Sequence, residues 1–154
     1  MIRINTISNN KAWHRYIKNP GDYIENKVDK INCKLTKYKK KKIFCTLLLS
    51  GDSEIKKLNK KFRNKNKSTD ILSFPFENKK KKKNGSYLGD IIISYNFMDK
   101  PKNQSLSLFK DKVVKTFIHG FLHLLGFDHI RLKDYKKMIK EEQNIYQSVI
   151  KKIN

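Results

Sequence analysis

The sequence predicts a single domain of the α+β or mixed α/β class. Its length of 154 residues suits one domain. Four short apolar runs have strand character, and longer segments with helical periodicity lie before, between and after them. We expect residues 1–154 to form one unit, since the sequence has no internal repeats. A chain of this length buries a core without disulfides, so a bound metal is free to serve chemistry.

The first half of the chain contains two predicted strands with helical sequence between them. Residues 2–7 alternate apolar and polar side chains, which is typical of a short strand, and the continuously apolar residues 43–49 predict a buried central strand. Scattered apolar positions over 11–32 predict one or two amphipathic helices, with a break at the Asn-Pro-Gly of 19–21. The lysine run at 39–42 predicts a basic loop.

The middle of the chain predicts one helix, one loop and one strand. Residues 51–53, Gly-Asp-Ser, supply a turn and an N-cap for a helix that extends to about Phe62. The polar residues 63–70 lack periodicity and predict a loop. Residues 71–76 predict a strand. Because Pro75 has no N–H to donate to a ladder, this strand is expected at a sheet edge or a bend.

The last predicted strand, at 87–94, follows a lysine-rich segment at 79–85 that we expect to be a solvated hairpin loop. Residues 96–106 are expected to be a connection. The strongest helical signal begins near Leu108 and ends at Gly126, where a glycine adopts positive φ. Its apolar side chains recur at i, i+3, i+4, i+7, i+8 and i+11, which predicts one buried stripe: Val114, Phe117, Ile118, Phe121, Leu122 and Leu125. A last amphipathic helix is predicted at 132–151.

Three features of the sequence bear on where the protein works. No apolar run reaches the length of about 18 residues that a transmembrane helix needs, so we expect no membrane partner. The N-terminal sequence has no apolar core of a secretory signal, which favours a cytoplasmic location. The two cysteines, Cys33 and Cys45, are too few and too unevenly spaced for a disulfide framework or a cysteine-type zinc site.

The formal net charge of +22 has two explanations, and the sequence leaves both open. Such a charge favours polyanionic partners, of which RNA is the first candidate. The second explanation is mutational drift, because lysine, asparagine and isoleucine are all favoured by A+T-rich codons. The charge therefore supports RNA binding without establishing it.

Three of the four histidines, His119, His123 and His129, lie close together in the sequence. His119 and His123 are four positions apart on a predicted helix and lie on one face, where two imidazoles reach one metal. Gly126 lets the chain leave the helix and return His129 as a third ligand. A lone histidine beside an apolar stripe is usually a hydrogen-bonded structural residue, but chance poorly explains three with this spacing. Three protein ligands leave a fourth position for a metal-bound water, as in catalytic zinc sites.

The histidine spacing is also that of metzincin proteases, HExxHxxGxxH, but one position differs decisively. Gly120 stands where those proteases carry the glutamate that acts as general base. The chain therefore cannot run that mechanism with residues at the same positions. Asp128, next to His129, is a candidate to orient a metal ligand and a weaker candidate for the base.

Three further side chains each allow a functional and a structural interpretation. Arg63 is one of only four arginines among 36 basic residues, which hints at bidentate phosphate contact. From composition alone, capping of the preceding helix explains it better. Asp70 and Asp90 are candidate catalytic or ligand-orienting carboxylates, and Asp90 in particular is a candidate for hydrogen-bonding a histidine. Aspartates in these settings are more often loop or strand-entry residues.

Three sequence elements resemble one known family. HGFLHLLGFDH at 119–129 matches every fixed position of the YbeY motif HGxLHLxGxDH. Residues 58–75 resemble the family's N-x-x-(F/Y)-R…TDVLSFP element, and LGDI at 88–91 resembles its third element. Phe127 where tyrosine is common, and Ile71 where valine is common, are small departures that leave the chemistry untouched.

The resemblance implies a bacterial, metal-dependent, single-strand-specific endoribonuclease. Members of this family act in maturation of the 3′ end of small-subunit (16S) ribosomal RNA and in ribosome quality control. The resemblance implies ribosomal RNA, the small subunit and other ribosome assembly proteins as partners. It also implies an α+β fold with a mixed four-stranded sheet, one Zn²⁺ per chain on His119, His123 and His129, and Arg63 in contact with the RNA backbone.

Three functional hypotheses remain at this stage. In the first, zinc on the three histidines activates water for RNA hydrolysis, and Arg63 holds the scissile phosphate and offsets developing charge. The second is a metzincin-like metalloprotease or another metal-dependent hydrolase, against which Gly120 argues. The third is a non-catalytic ribosome assembly factor in which zinc is structural and charge provides the binding.

Overall fold

A computed structural model describes residues 1–76 and 86–150 of the chain. The described residues form four strands: β1 (Ile2–Ser8), β2 (Ile43–Ser50), β3 (Ile71–Pro75) and β4 (Ser86–Ser94). They also form a 3-10 helix (Lys11–Arg15) and six α-helices: α1 (Pro20–Lys34), α2 (Thr36–Lys39), α3 (Asp52–Arg63), α4 (Tyr95–Met98), α5 (Leu106–Leu124) and α6 (Leu132–Ile150). The hairpin loop expected at 79–85 lies outside the described residues.

The four strands form one mixed sheet, which confirms the predicted α+β class. The strand order is β1-β2-β4-β3, with β1, β2 and β4 parallel and β3 antiparallel to β4. The continuously apolar β2 is central, as predicted, because it is flanked by a strand on each side. β3 is an edge strand, so the N–H that Pro75 lacks is not needed there.

Gly89 allows β3 to approach β4 closely. The pairing of β2 with β4 shifts register between Phe44 and Thr46, so that Leu88 and Gly89 together stand opposite one residue of β2. Gly89 has φ +134°, and a Cβ there would lie 2.1 Å from the carbonyl oxygen of Phe74. Only glycine fits this position, which sets where β3 lies relative to the helices behind it.

Helices α1 and α5 cover one face of the sheet, α6 packs against both of these helices, and together they enclose the main core. The apolar stripe predicted for α5 is largely buried there, with Phe117 and Phe121 each 1% exposed. The smaller α3 packs on the opposite face, where Ile55 meets Leu72 and Ile92 in a second cluster. The sheet is therefore buried on both faces around β3 and β4, and both helix α3 and helix α5 lie against the edge strand.

Three local predictions hold only in part, because contacts distant in sequence decide the rest. The first part of the expected basic loop belongs to α2, where Tyr38 is buried and its hydroxyl donates to Glu141 Oε1 at 2.6 Å. The expected connection at 96–106 overlaps the short helix α4 (Tyr95–Met98). No side chain of 51–53 caps α3; the backbone N–H of Asp52 instead donates to Asn96 Oδ1 at 3.1 Å.

The two ends of α5 are formed by standard capping interactions. The Ser105 hydroxyl accepts a hydrogen bond from the Leu108 N–H at 3.1 Å, so the helix begins slightly before the expected Leu108. At the other end, Gly126 has φ +92°. Its N–H donates to the carbonyl of His123 at 3.0 Å, and the N–H of Phe127 donates to the carbonyl of Leu122 at 3.0 Å. These two bonds make a Schellman motif, which reverses the chain after the helix.

Membrane insertion by a helix has no support in the described part of the chain. Over residues 1–76 and 86–150, no helix combines the length and the apolar character needed to cross a bilayer.

Candidate metal centre

Helix α5 and the turn that follows it bring the three predicted histidines together. His119 and His123 are one helical turn apart on α5, and the Schellman turn at Gly126 returns His129 towards them. One ring nitrogen from each histidine lies within 4.8 Å of the other two. The ring centroids are 4.7 Å apart for His119 and His123, and 5.0 Å apart for His123 and His129. These three nitrogens can hold one metal ion.

The two helical histidines are each held by a second partner through Nδ1. His119 Nδ1 lies 2.6 Å from Glu142 Oε1 on α6, and His123 Nδ1 lies 3.0 Å from the carbonyl oxygen of Phe127. A carboxylate and a carbonyl only accept hydrogen bonds, so both contacts favour the tautomer with the proton on Nδ1. In that tautomer a neutral ring has a free lone pair on Nε2, which is the state that a metal requires.

The Nε2 atoms of His119 and His123 point into the same space, 3.1 Å apart. Two nitrogen ligands of a tetrahedral zinc, each about 2.0–2.1 Å from the ion, are about 3.3–3.4 Å apart. The observed separation is close to this value, and the donor set of three imidazoles suits zinc. The residues present therefore fit the expected metal.

Burial favours the neutral form of the His123 ring. Loss of solvent is the largest influence lowering the pKa of His123, and the neighbouring His119 and His129 lower it further. The hydrogen bond to the carbonyl of Phe127 acts in the opposite direction, and the net shift of the pKa is downward. The neutral imidazole is the form that binds a metal.

The histidines lie in an open cavity of about 720 Å³. Its wall combines cations, apolar side chains and the loop after α5. The lining residues are Arg63, Lys65, Ile71, Ser73, Pro75, His119, His123, Gly126, Phe127, Asp128, His129 and Ile130. Ile130 is 84% exposed and presents an apolar surface at this cavity. The cavity can hold an anionic ligand beside the histidines.

Arg63 lies in the same cavity as the histidines. It is the last residue of α3, as the helix-capping interpretation required, but its Nη2 reaches across and donates to the carbonyl oxygen of Ser73 at 3.4 Å. The Ser73 hydroxyl in turn donates to the carbonyl oxygen of Gly120 at 3.2 Å. This chain of bonds links α3, β3 and α5, and it places the guanidinium on the cavity wall.

Of the three candidate aspartates, only Asp128 lines the cavity, and its carboxylate accepts a hydrogen bond from the backbone. Its Oδ1 accepts from the backbone N–H of His129 at 2.7 Å, which holds the turn that carries the third ligand. Asp70 Oδ1 accepts from the N–H of Ile71 at 2.9 Å, so it takes the strand-entry role offered as the alternative. It does not line the histidine cavity.

The expectation that Asp90 hydrogen-bonds a histidine is corrected by its position on β4. Asp90 is exposed and accepts a hydrogen bond from the hydroxyl of Tyr87 on the same strand. The next residue, Ile91, is fully buried in the main core beneath α5. Because successive side chains of a strand point to opposite faces, Asp90 points away from the helix that carries the histidines.

Sequence reasoning missed Glu142, the carboxylate that does contact a histidine. Glu142 follows Met138 by four positions and precedes Ile145 by three, and both of these residues are buried. It therefore lies on the apolar stripe of α6, where a charged side chain is unexpected. A charged residue among apolar positions was the available signal in the sequence. The neighbouring residues do not indicate which side chain Glu142 would contact.

The structure explains why position 120 carries glycine and not the glutamate of metzincins. Gly120 is buried where α5 crosses the edge of the sheet. A Cβ there would lie 2.5 Å from Ile71 Cδ1 and 3.0 Å from Ser73 Oγ. A glutamate side chain is much larger than one methyl group, so it has no room at this contact. The protease hypothesis therefore lacks its general base for a steric reason.

Comparisons with known proteins agree on one family. The sequence model described as endoribonuclease YbeY matches residues 7–150. Endoribonuclease YbeY of Pelagibacter ubique is 57% identical to this chain over 153 residues, which is 99% of each sequence. The protein of that name from Buchnera aphidicola subsp. Acyrthosiphon pisum is 39% identical over 127 residues, covering 82% of this chain and 79% of the relative.

A comparison of three-dimensional structures supports the fold alone. The solution structure of TM1509 from Thermotoga maritima superimposes with a TM-score of 0.61 at 24% identity. That superposition covers 96% of this chain and 89% of the other.

Proposed function

The chain belongs to the YbeY family of endoribonucleases and is an enzyme that hydrolyses RNA; from this premise we propose that it is zinc-dependent and specific for single strands. We further propose that it acts in 3′-end maturation of 16S ribosomal RNA and in ribosome quality control. In this proposal residues 1–154 form one metal-dependent hydrolase domain that works in the cytoplasm on the small ribosomal subunit, together with other assembly proteins.

One observation carries the proposal: three histidine nitrogens converge in a cavity that also contains Arg63. Zinc bound there would supply a Lewis acid and a water whose pKa is lowered towards neutrality. The Nδ1 partners of His119 and His123 hold the two Nε2 atoms in positions where they would bind the ion. Because these two donors are already oriented in the folded chain, little ordering cost remains for them on binding.

Arg63 and Lys65 give the cavity its affinity for the RNA backbone. A guanidinium matches two phosphate oxygens with parallel N–H groups, and an ammonium adds a point charge. The hydrogen bond that Arg63 donates to the Ser73 carbonyl holds its guanidinium at the cavity wall. It binds the scissile phosphate and stabilises the charge that develops there during hydrolysis.

The mixed lining of the cavity supports a preference for single strands. The apolar side chains of Ile130 and Pro75 line the same cavity as the cationic side chains of Arg63 and Lys65. An unpaired strand can turn its bases onto these apolar side chains while its phosphates face Arg63. In a duplex the bases are stacked inside and are not available for such contact. The net charge of +22 adds salt-dependent attraction for RNA.

The deciding experiment compares the metal-free and zinc-loaded chain on single-stranded ribosomal RNA. We expect cleavage only in the zinc form, and we expect His123→Ala to abolish both zinc binding and cleavage. A duplex of the same sequence should be cleaved slowly or not at all. His14→Ala is the matched control, since His14 is an exposed histidine bonded to the carbonyl of Lys18, outside the cavity. Cleavage that is indifferent to zinc and to His123 would overturn the proposal and favour a non-catalytic assembly factor.

A further inference from the structure

Helix α6 contributes a carboxylate to a site whose three candidate ligands all come from α5 and its turn. Glu142 Oε1 lies 2.6 Å from His119 Nδ1, and its side chain is 27% exposed. The flanking positions on the same face, Met138 and Ile145, are buried in the main core. The core contacts of α6 therefore fix the height and rotation at which Glu142 meets the ring.

The two helical histidines differ in where their Nδ1 partner comes from. His123 is near the end of α5, so the carbonyl of Phe127 in the following turn is within reach, at 3.0 Å. His119 lies one turn earlier, where the carbonyls of α5 are used in its own hydrogen-bond ladder. A histidine in the middle of a helix has to find its partner on another element. Glu142 is that partner, 23 residues away in sequence.

We propose that Glu142 is a positioning residue of the metal centre, and that α6 is thereby coupled to metal binding. It holds the His119 ring with its proton on Nδ1 and with Nε2 directed at the metal. As an anionic acceptor it also strengthens Nε2 as an electron donor. This inference rests on the proposed function only in taking the three histidines as the metal ligands.

The coupling between α6 and the metal centre follows from thermodynamic linkage. An interaction that favours the metal-bound state is itself strengthened when the metal binds. If Glu142 increases the affinity for zinc, zinc must strengthen the docking of α6 by the same factor. The neighbouring Glu141 makes a separate contact: it accepts from the Tyr38 hydroxyl at 2.6 Å and pairs with Lys37 at 2.5 Å. Two adjacent carboxylates of α6 thus serve different neighbours, which provides a matched control.

The test measures zinc affinity by chelator competition for Glu142→Ala, Glu142→Gln and Glu141→Gln. We expect Glu142→Ala to weaken zinc binding about 10- to 100-fold, the usual effect of losing such a partner. Glu142→Gln keeps an oxygen acceptor of the same shape and should recover part of that loss. Glu141→Gln removes the same charge one residue earlier and should leave zinc affinity within about threefold, because it acts on α2 and not on a ligand.

Two further readouts separate positioning from a general effect on folding. Cobalt(II) substituted into the Glu142 variants should show an altered visible spectrum, which reports the ligand field. Amide hydrogen exchange in α6 should slow on addition of zinc in the unchanged chain and in Glu141→Gln, but not in Glu142→Ala. If Glu142→Ala is too unstable to purify, Glu142→Met, which has a similar length and no oxygen acceptor for Nδ1, gives the same comparison.

The outcomes distinguish this inference from the proposed function. Zinc affinity, cobalt spectrum and α6 exchange that are unchanged in Glu142→Ala would overturn the positioning role, whatever the chain does to RNA. Zinc binding that depends on Glu142 in a zinc-loaded chain that cleaves no single-stranded RNA would support the positioning role and refute the proposal of zinc-dependent cleavage.

Discussion

The two helical histidines and the loop histidine are presented to the cavity in different ways. His119 and His123 are partly buried, and each ring is fixed through Nδ1 by a partner that lies outside α5. His129 is exposed and lies beyond Gly126, in a loop whose backbone is held by Asp128. The packed helix thus presents two oriented donors, whereas the third depends on the geometry of one turn.

This difference determines when each histidine side chain loses its conformational entropy. Fixing a side chain in one rotamer costs up to about 2 kcal/mol of conformational entropy. For His119 and His123 that cost is met when the core folds, because their rings are already bonded. For the exposed His129, more of the ordering remains until a metal binds. The helical pair should therefore contribute more to affinity, and the loop ligand more to completing the coordination.

The largest expected effect comes from removing one ligand of each kind. We expect His123→Ala to lower zinc affinity by more than about 100-fold, beyond the loss seen when only a supporting residue is removed. His129→Ala should cost less, because both oriented nitrogens of α5 remain. Chelator competition on the two variants measures the ratio. Equal losses would show that the loop ligand is as well ordered as the helical pair.

Arg63 should affect catalysis without affecting the metal, which separates substrate contact from ligand positioning. We expect Arg63→Ala to reduce the rate of RNA cleavage by about 10²–10³-fold, the usual effect of removing one group that stabilises developing charge. Arg63→Lys should recover only part of the rate, since an ammonium cannot make the bidentate contact. Zinc affinity should stay unchanged in both variants. A parallel fall in zinc affinity would mean that Arg63 supports the site through Ser73 instead.

The smallest effect concerns the two glycines beside the ligands, which are required for different reasons. In Gly120→Ala, overpacking against Ile71 costs about 1–3 kcal/mol. The gain from alanine in a helix is about 1 kcal/mol, so we expect a net loss near 1 kcal/mol. A Cβ at Gly126 meets nothing within 4 Å, but φ is +92° there. Left-handed strain of about 1–2 kcal/mol should result in Gly126→Ala.

Urea unfolding of the zinc-free variants measures both losses. Only Gly126→Ala should also weaken zinc binding, because its turn returns His129 to the other two ligands. A stabilised Gly120→Ala variant would contradict the close packing of α5 on β3.

The predictions that the structure confirms all rest on local signals. The continuous apolar run of β2, the proline of edge strand β3 and the stripe of α5 each reflect a periodicity or a missing donor within a few residues. Gly126 marked both the end of α5 and the return of the chain, and the structure brings the three histidines together as their spacing indicated. Helical periodicity and glycine conformation are enough to place these features.

The features that sequence reasoning missed or misplaced all depend on contacts between distant segments. Asp90 was a candidate for hydrogen-bonding a histidine, but strand alternation within the assembled sheet turns it to the other face, beside Tyr87. The helix at Thr36–Lys39 depends on burial of Tyr38 against α6. Ser73 joins Arg63 to Gly120 only because β3 lies between α3 and α5. No pattern within a few neighbouring residues of the sequence predicts such partners.

By itself the sequence predicted that the three histidines come together, the fold class and the family, because each prediction follows from residue spacings within short segments. Tertiary structure alone decided that Glu142 holds His119, that Arg63 shares the histidine cavity, and that position 120 has no room for a glutamate side chain. The physical reason is one of range. Helix geometry relates residues three or four positions apart, whereas a hydrogen bond between α5 and α6 exists only after the core has set how the two helices pack.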